Sequence, residues 1–344
     1  MEYFLSYEDL EVHKCMLQDT KRNEAYHKAI FDNKEAFKGK IVLDVGAGTG
    51  ILSVFCAQAG AAKVYAVEAS ETYKLAIEVA QENNLQDVIQ VIHSPVETLT
   101  LPEDGKVDII VSEWMGHFLL HEGMLDSVIF ARDKFLRPGG LIFPENATLF
   151  SAPCSIPSLN DYWKDVCGVS MTRFSDKLKA QTCQSPKIMT VKSDDVLSDP
   201  EVLLWIDLRE ITVEELNLSK IRHLAVVDKP GNYQGICLWF ACAFPATDTE
   251  PVYLSTDPDE GETHWKQTVI VLPADIPVEE GTPIPYEISI KRSEEDHRKY
   301  TIEVQMLDDE AIEHPEYCTC FKTRCILARA VLEKYEQNSF SNEN

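Results

Sequence analysis

The sequence has no apolar run approaching the ~18 residues that a membrane-crossing helix requires. Its opening, MEYFLSYEDLE, is acidic where a secretory leader is basic and then apolar. Neither secretion nor membrane insertion is expected, and the chain is assigned to the cytoplasm, the nucleus or both. Runs of lysine and arginine are also missing. With 32 basic against 57 acidic residues and a formal net charge of −25, nothing here is built to grip a phosphate backbone, so direct nucleic-acid binding is not expected. A field of that sign attracts cationic partners, although solubility alone accounts equally well for any single surface acid. Paired C-x-x-C spacing is absent too. The ten cysteines lie mostly inside apolar segments, such as Cys56 in SVFCAQA and Cys237 and Cys242 in GICLWFACAF, as reduced, buried thiols do. Only CTCFKTRC, with Cys318, Cys320 and Cys325, is clustered. Lacking the paired spacing and nearby histidine of a zinc module, it is expected to hold no metal.

What is present is an ordinary globular composition, 44% hydrophobic over 344 residues, enough for two domains with a core each. Residues 10–37 read as helical. KIVLDVGAGTG, KVYAVEAS, VIQVIHS and VDIIVSEW then read as strands separated by helical patterns, which implies a parallel sheet wound on both faces. After LRPGGLIFPE the character changes to short β-like runs, among them ATLFSAP, VLLWIDL, ICLWFACAF, KQTVIVL, YEISI and YTIEVQM, divided by turns, as in an antiparallel sheet or barrel. This gives an N-terminal segment over 1–38, an α/β domain over 39–145 and a β domain over 146–344. A helical interruption falls at about 156–184 and a terminal helix at about 325–337.

DVGAGTG, residues 44–50, lies where the first strand turns into a helix. Gly46, Gly48 and Gly50 let backbone pass close to a ligand, and the helix start offers free amides. A dinucleotide fingerprint would be G-x-G-x-x-G over a pyrophosphate. Here the third glycine comes one residue early and Asp44 leads the turn, which suits a ligand without phosphates such as S-adenosylmethionine. Glu68 ends the second strand, where a carboxylate can accept both ribose hydroxyls. Glu97 follows the third strand at the same sheet end, placed to accept from an adenine amino group. Alone, the glycines could mark an ordinary turn and Glu97 a solvated acid.

SEWMGHFLLHE, residues 112–122, follows the next strand and so lies at the carboxyl edge of the sheet. Glu113 and Glu122 are too far apart for one helical face, but a looped-back segment brings both heads to one pocket. Two carboxylates facing a guanidinium form a forked, charge-assisted clamp. They draw positive charge towards two nitrogens and leave the third with more lone-pair character, able to attack a methyl donor. The competing reading is two unrelated acids flanking an apolar loop. In THW, His264 beside Trp265 is either a packed residue with a satisfied ring or a proton relay for that pair.

DVGAGTG, VEAS, SEWMG…HE and THW in this order make the chain resemble the protein arginine N-methyltransferases, from Tyr3 to roughly Met306. The resemblance implies a Rossmann-like domain holding S-adenosylmethionine, then an antiparallel β-barrel whose helical arm makes a homodimer. By the same resemblance, Tyr3, Phe4 and Tyr7 in EYFLSY fold over the cofactor and help form the substrate pocket, with Met115 and Trp265. HKCMLQDTKR matches the family's first helix, which assigns His13 and Met16 to the cofactor and active-site lining and Arg22 to the methionyl carboxylate. Asp19 is assigned as the partner of His264, and Glu113 and Glu122 as the family's paired glutamates. Met16 with THW looks like the type I branch, which forms monomethyl and asymmetric dimethyl arginine on substrates such as histones and glycine/arginine-rich proteins. Three departures stand out: His117 replaces the usual tyrosine after SEWMG, the arm is shorter, and CILARAVLEKYEQNSF extends the chain. Two other classes remain, a weakly catalytic scaffold binding basic partners and a small-molecule methyltransferase; the latter leaves the carboxylate pair and the β domain without a purpose.

Overall fold

The computed structural model describes residues 7–102, 105–247 and 250–340. Three helices come first, α1 (Leu10–Gln18), α2 (Thr20–Asp32) and the short α3 (Lys34–Phe37). Two of them start on aspartate caps. Asp9 accepts from the Glu11 amide at 3.0 Å and Asp19 from the Arg22 amide at 3.0 Å, each satisfying a donor that the first turn leaves open.

Strands and helices then alternate as β1 (Ile41–Val45), α4 (Ile51–Gln58), β2 (Lys63–Glu68), α5 (Tyr73–Glu82), β3 (Ile89–His93), β4 (Val107–Val111), α6 (Leu125–Phe135) and β5 (Leu136–Phe143). The five strands pair in parallel in the order β3-β2-β1-β4-β5. β1 and β2 are almost continuously buried, as expected for strands covered on both faces. The order reverses between β1 and β4, whose ends are in register at Asp44 and Val111. The glycine turn and the SEWMG segment therefore leave the sheet side by side at its switch point, where such sheets bind ligands.

β5 was not foreseen. Its LRPGGLIF sequence carries Pro138, Gly139 and Gly140, which read as a turn. The strand does break step there, pairing Leu136 with Val107 and resuming at Leu141 with Ile109.

The second half contains β6 (Asn146–Cys154), α7 (Pro157–Lys164), α8 (Thr172–Thr182), β7 (Lys187–Met189), β8 (Glu201–Asp207), β9 (Leu218–Val226), β10 (Gly231–Ala243), β11 (Tyr253–Ser255), β12 (Gln267–Val278), β13 (Pro283–Arg292), β14 (Tyr300–Met306) and α9 (Thr323–Phe340). All its strand pairings are antiparallel. One sheet runs β7-β12-β10-β6-β8, with β11 on β10, and a second runs β14-β13-β9, together forming the barrel-like half. α7 and α8 form the predicted interruption. The three-residue strands β7 and β11 are too short to leave an alternation in the sequence. Among the described residues, no helix is long and apolar enough to cross a membrane.

One apolar core runs through both halves, and α2 lies at their junction. Tyr26 on α2 stands edge-on to Phe244 at 4.8 Å between ring centres and donates its hydroxyl to the Ser112 carbonyl at 2.8 Å. Asn33, just past α2 and 2% exposed, donates to the carbonyls of Ala29 and Pro245, both at 2.8 Å, and accepts from the Thr247 amide and hydroxyl. These bonds fix the angle between α2 and the second half, and with it the position of Asp19 at the other end of the helix.

Candidate active site

A cavity of about 340 Å³ opens at the switch point, lined by the N-terminal helices, the carboxyl ends of the parallel strands and loops of the barrel-like half. Gly46, Gly48, Glu68 and Glu97 border one part of it; Glu113, Glu122, His264 and Trp265 border another. Gly46 takes φ +73°, a left-handed conformation open to glycine and strained for other residues. Its amide donates to the Val67 carbonyl, pinning the turn to β2.

Glu68 accepts from the Gly48 amide at 2.8 Å through Oε2 and from the Ser70 amide at 2.7 Å through Oε1. A carboxylate offers about four acceptor sites, so one remains on each oxygen for a diol. Glu97 is held by the Ser127 hydroxyl at 2.7 Å. Among the described residues the lining contains no lysine, and its arginines are Arg22 and Arg298. Backbone amides, unsaturated carboxylates and no cationic cradle for a pyrophosphate fit the nucleoside and sulfonium of S-adenosylmethionine better than a dinucleotide.

The segment from Glu113 to Glu122 folds back on itself. Gly116 and Leu119 exchange backbone hydrogen bonds of 3.1 and 2.9 Å, and Phe118, Leu119 and Glu122 all take positive φ. A Cβ on Gly116 would lie 2.1 Å from the His121 carbonyl oxygen, so this turn closes only on glycine. Non-glycine residues at positive φ store strain that persists where surrounding contacts over-determine it. Here the loop's apolar residues, Trp114, Met115, Phe118, Leu119 and Leu120, are all buried. Packing therefore holds the loop, and both carboxylates line the cavity.

The two acids are held differently. Glu113 accepts from Arg22 Nε at 3.0 Å, in a pair whose side chains are only 9% and 7% exposed. Removing one partner of a buried ion pair typically costs about 3–5 kcal/mol, because the other charge is left without compensation. Glu113 thus supports the fold as well as the site. Glu122 takes a 2.5 Å hydrogen bond from the Tyr7 hydroxyl, and its carbonyl accepts from Arg298 Nη1 at 3.0 Å. The Tyr7 carbonyl is held by His13 Nε2 at 2.7 Å and the Thr72 hydroxyl at 2.8 Å, which fastens the N-terminal segment across the cavity.

Across the cavity, His264 Nδ1 lies 2.7 Å from Asp19 Oδ2, and the same oxygen accepts the His264 amide at 2.8 Å. Burial alone would raise the Asp19 pKa, but the bonds from His264 and from the Arg22 and His264 amides outweigh it and hold Asp19 below the usual carboxylate range. Trp265 Nε1 donates to the Met115 carbonyl at 2.7 Å and His117 Nδ1 lies 3.1 Å from the Trp265 carbonyl, so the THW and SEWMG segments are locked together. Burial pushes the His117 pKa down, and the ring sits in the cavity wall.

Most residues singled out from the sequence meet here. Tyr7, His13, Met16, Arg22, Gly46, Gly48, Glu68, Glu97, Glu113, Met115, Glu122, His264 and Trp265 all line the cavity, and Asp19 stands behind His264. Gly50 does not line it and instead caps α4 in the left-handed conformation. Tyr3 and Phe4 lie outside the described residues.

Two readings need correction, those of Asp44 and of the cysteine cluster. Asp44 does not reach the cavity; it is fully buried behind the turn, accepts from the Ser53 hydroxyl at 2.6 Å, and is pushed up to about 7 by burial. Arg22, assigned to a bound carboxylate, keeps its place in the lining while its Nε donates to Glu113 and its Nη1 to Asn23. The cysteine cluster, expected to have no histidine nearby and to hold no metal, does have a histidine: His314 stands four residues before Cys318 and folds onto it. Arg298 and Ser127 were missed. Arg298 comes from a turn far along the chain with no motif around it, whereas Ser127 carries no signal until Glu97 is seen beside it.

A parallel sheet with a glycine turn and ribose-type carboxylate at its switch point, opening onto paired acids, defines an S-adenosylmethionine-dependent methyltransferase. Residues 29–140 match the family described as ribosomal protein L11 methyltransferase, and residues 145–308 match the arginine methyltransferase oligomerization subdomain. Protein arginine N-methyltransferase 6 of Danio rerio is 44% identical over 321 residues, covering 91% of this chain and 90% of the relative. The probable protein arginine N-methyltransferase 6.1 of Oryza sativa subsp. indica is 39% identical over 330 residues, covering 88% and 86%. The chain belongs to the protein arginine N-methyltransferase family. Among solved structures, the Trypanosoma brucei PRMT1 enzyme–prozyme heterotetrameric complex with AdoHcy superposes with a TM-score of 0.78 at 31% identity, covering 88% of this chain and 94% of that one. A PRMT6–SAH structure superposes with a TM-score of 0.75 at 30% identity, covering 87% and 100%. Arginine methylation of proteins is the activity these relatives share by name, and the bare scaffold reading finds no support.

Proposed function

We propose that the enzyme is of type I, forming monomethyl and asymmetric dimethyl arginine on arginine-rich segments, with histones and glycine/arginine-rich proteins as candidate substrates. Arginine methylation is carried by the convergence of Glu113 and Glu122 on one cavity with the Asp19–His264 pair, and the type I reading is supported by Met16 standing with His264 and Trp265 in the same lining. S-adenosylmethionine supplies an electrophilic methyl group on a positively charged sulfur.

The chain's own residues do the rest. Glu113 and Glu122 grip a guanidinium by charge-assisted hydrogen bonds, localise its charge on the nitrogens they touch, and orient the remaining nitrogen. Arg22 aims the Glu113 carboxylate through their buried ion pair. The Tyr7 hydroxyl orients Glu122 by its hydrogen bond, and Tyr7 lines the cavity beside it. His264 takes up the proton released when the product neutralises, and Asp19, ionised well into the acid range, stabilises the resulting imidazolium. Trp265 and Met115 wall off water. Electrostatic preorganisation of this kind contributes on the order of 10²–10³ in rate per group.

A homodimer is part of the proposal. The paired helices α7 and α8 and the turn between them expose Tyr162, Val169, Met171, Phe174 and Leu178, an apolar stretch of the kind that marks association surfaces. Its work is assigned to the cytoplasm, the nucleus or both, which tagging in cells tests. Mass spectrometry of glycine/arginine-rich and histone peptides after incubation with protein and donor tests the chemistry. Asymmetric dimethyl arginine is expected; symmetric dimethyl or only monomethyl product would overturn the type I assignment. Analytical ultracentrifugation checks the dimer.

A further inference from the structure

Outside the cavity, one cluster brings together groups whose own hydrogen bonding cannot account for their arrangement. In EHPEYCTCFKTRC, His314 Nδ1 lies 3.4 Å from Cys318 Sγ, 3.4 Å from Cys320 Sγ and 3.2 Å from Cys325 Sγ. The four ligand atoms all fall within 4.8 Å of one another. Three thiols aimed at one imidazole nitrogen cannot all donate to it, since that nitrogen carries a single lone pair. A cation at the centre satisfies all four groups together. Zinc with sulfur at about 2.3 Å and nitrogen at about 2.0–2.1 Å sets tetrahedral N···S edges of roughly 3.6 Å and S···S edges of roughly 3.8 Å, close to what the side chains adopt.

We infer that His314, Cys318, Cys320 and Cys325 form a structural Zn²⁺ site that fastens the C-terminal helix to the barrel-like half.

The surroundings fit a metal site. His314 Nε2 lies 3.2 Å from the Asp309 carbonyl, so the ring proton sits on Nε2 and Nδ1 presents its lone pair to the thiols. Arg324 donates to the same carbonyl at 2.9 Å. Three thiolates and one Zn²⁺ carry a net charge of −1, and the Arg329 guanidinium, bonded to the carbonyls of Cys318 and Cys320, stands beside it. Cys325 lies in the first turn of α9, so a metal bound to it holds the start of that helix. The three cysteines are at most 5% exposed and free of disulfides. Three sulfurs and one imidazole nitrogen in a closed tetrahedron select zinc over oxygen-seeking cations and leave no position for substrate.

The role follows from what the cluster touches. It packs against Leu224 and Val226 of β9, and the Phe321 amide donates to the Gly281 carbonyl at 2.9 Å in the turn before β13. None of its residues lines the catalytic cavity, and it lies beyond the residues matched to the oligomerization subdomain. The ion therefore ties α9 down without entering the methyl-transfer chemistry.

The test uses the full chain purified under reducing conditions without chelator. Elemental analysis is expected to find about one zinc per chain, and Co²⁺ exchanged into the protein is expected to give thiolate charge-transfer bands with the visible bands of tetrahedral cobalt. Cys318→Ser combined with Cys325→Ser is expected to lose the metal and the cobalt spectrum. Should that variant not fold, hydrogen exchange of the wild-type protein with and without a zinc chelator gives the same answer: protection lost over 314–335, with donor binding unchanged. The proposal fails if the reduced wild-type protein takes up neither zinc nor cobalt stoichiometrically. It also fails if the double variant keeps its zinc, if two of the cysteines are recovered as a disulfide that excludes metal, or if chelation leaves 314–335 protected.

Discussion

In the parallel-sheet half the cavity residues follow strand ends one after another, Gly46 after β1, Glu68 at the end of β2, Glu97 after β3 and Glu113 after β4, whereas the barrel-like half sends in His264, Trp265 and Arg298. The first half repeats one device, a strand delivering a side chain to the sheet's carboxyl edge. The second half has no such rhythm and reaches the cavity by loops. Hydrogen bonds couple the two, among them Asp19 to His264, Trp265 to the Met115 carbonyl, His117 to the Trp265 carbonyl, Arg298 to the Glu122 carbonyl, Arg132 to the carbonyls of Leu208 and Ile211, and Asn33 to the 245–247 segment. The difference teaches that the α/β half contributes the glycine turn and the carboxylates of the lining, while the barrel-like half contributes the histidine to which the proposed mechanism gives the proton.

The largest expected effect separates the two acids of the first half. Glu122→Gln should lower kcat by about 10²–10³-fold while donor affinity stays within a few-fold, because it removes a charge from the substrate side only. Glu113→Gln should lower kcat comparably and also weaken donor binding, since Arg22 loses its buried partner. Steady-state kinetics with calorimetric donor binding checks both, and identical binding profiles would mean that the Arg22–Glu113 pair does not shape the donor site.

Next comes the contribution of the second half. His264→Gln should reduce kcat by about 10²-fold and Asp19→Asn by somewhat less, with KM for a peptide little changed. Unaltered turnover in both would remove the barrel-like half from the chemistry.

Stability offers the third contrast. The folded-state pKa of Asp44, raised to about 7 from 3.8, means that the native protein keeps a proton the unfolded chain releases. That group's stabilising proton is fully effective only below the unfolded value, and stability declines as pH rises towards about 7, by on the order of a few kcal/mol. Asp44→Asn should therefore raise Tm more at pH 8 than at pH 5; an equal shift at both would show that Asp44 ionises freely. The smallest effect is expected at the junction, where Asn33→Ala leaves buried partners unsatisfied and should cost about 1–3 kcal/mol in denaturant unfolding. No loss would mean that the two halves dock independently of Asn33.

Much of the first half was legible because its chemistry is local. A glycine turn after an apolar run, an acid at the next strand end and two acids around an apolar loop each sit within a dozen residues, and the sheet supplies the third dimension. Asp44 was misplaced because sequence shows that a side chain leaves a strand but not towards which face. Arg22 and Glu113 stand 91 positions apart, so their pairing has no local sign. β5 was hidden because Pro138, Gly139 and Gly140 announce a turn even where a strand resumes beyond them. His314 has no sign in the sequence because it belongs to no paired C-x-x-C unit: one histidine, two closely spaced cysteines and a fourth group on a helix meet only through a fold-back.

The central claim is that Glu113 and Glu122 together hold an arginine side chain in front of the methyl donor. A crystal structure of the protein with S-adenosylhomocysteine and an arginine-containing peptide tests it most directly. Both carboxylates are predicted to lie about 2.7–2.9 Å from different nitrogens of the same guanidinium, with the remaining nitrogen facing the sulfur. A guanidinium bound elsewhere, or touched by only one of the two acids, would contradict the account.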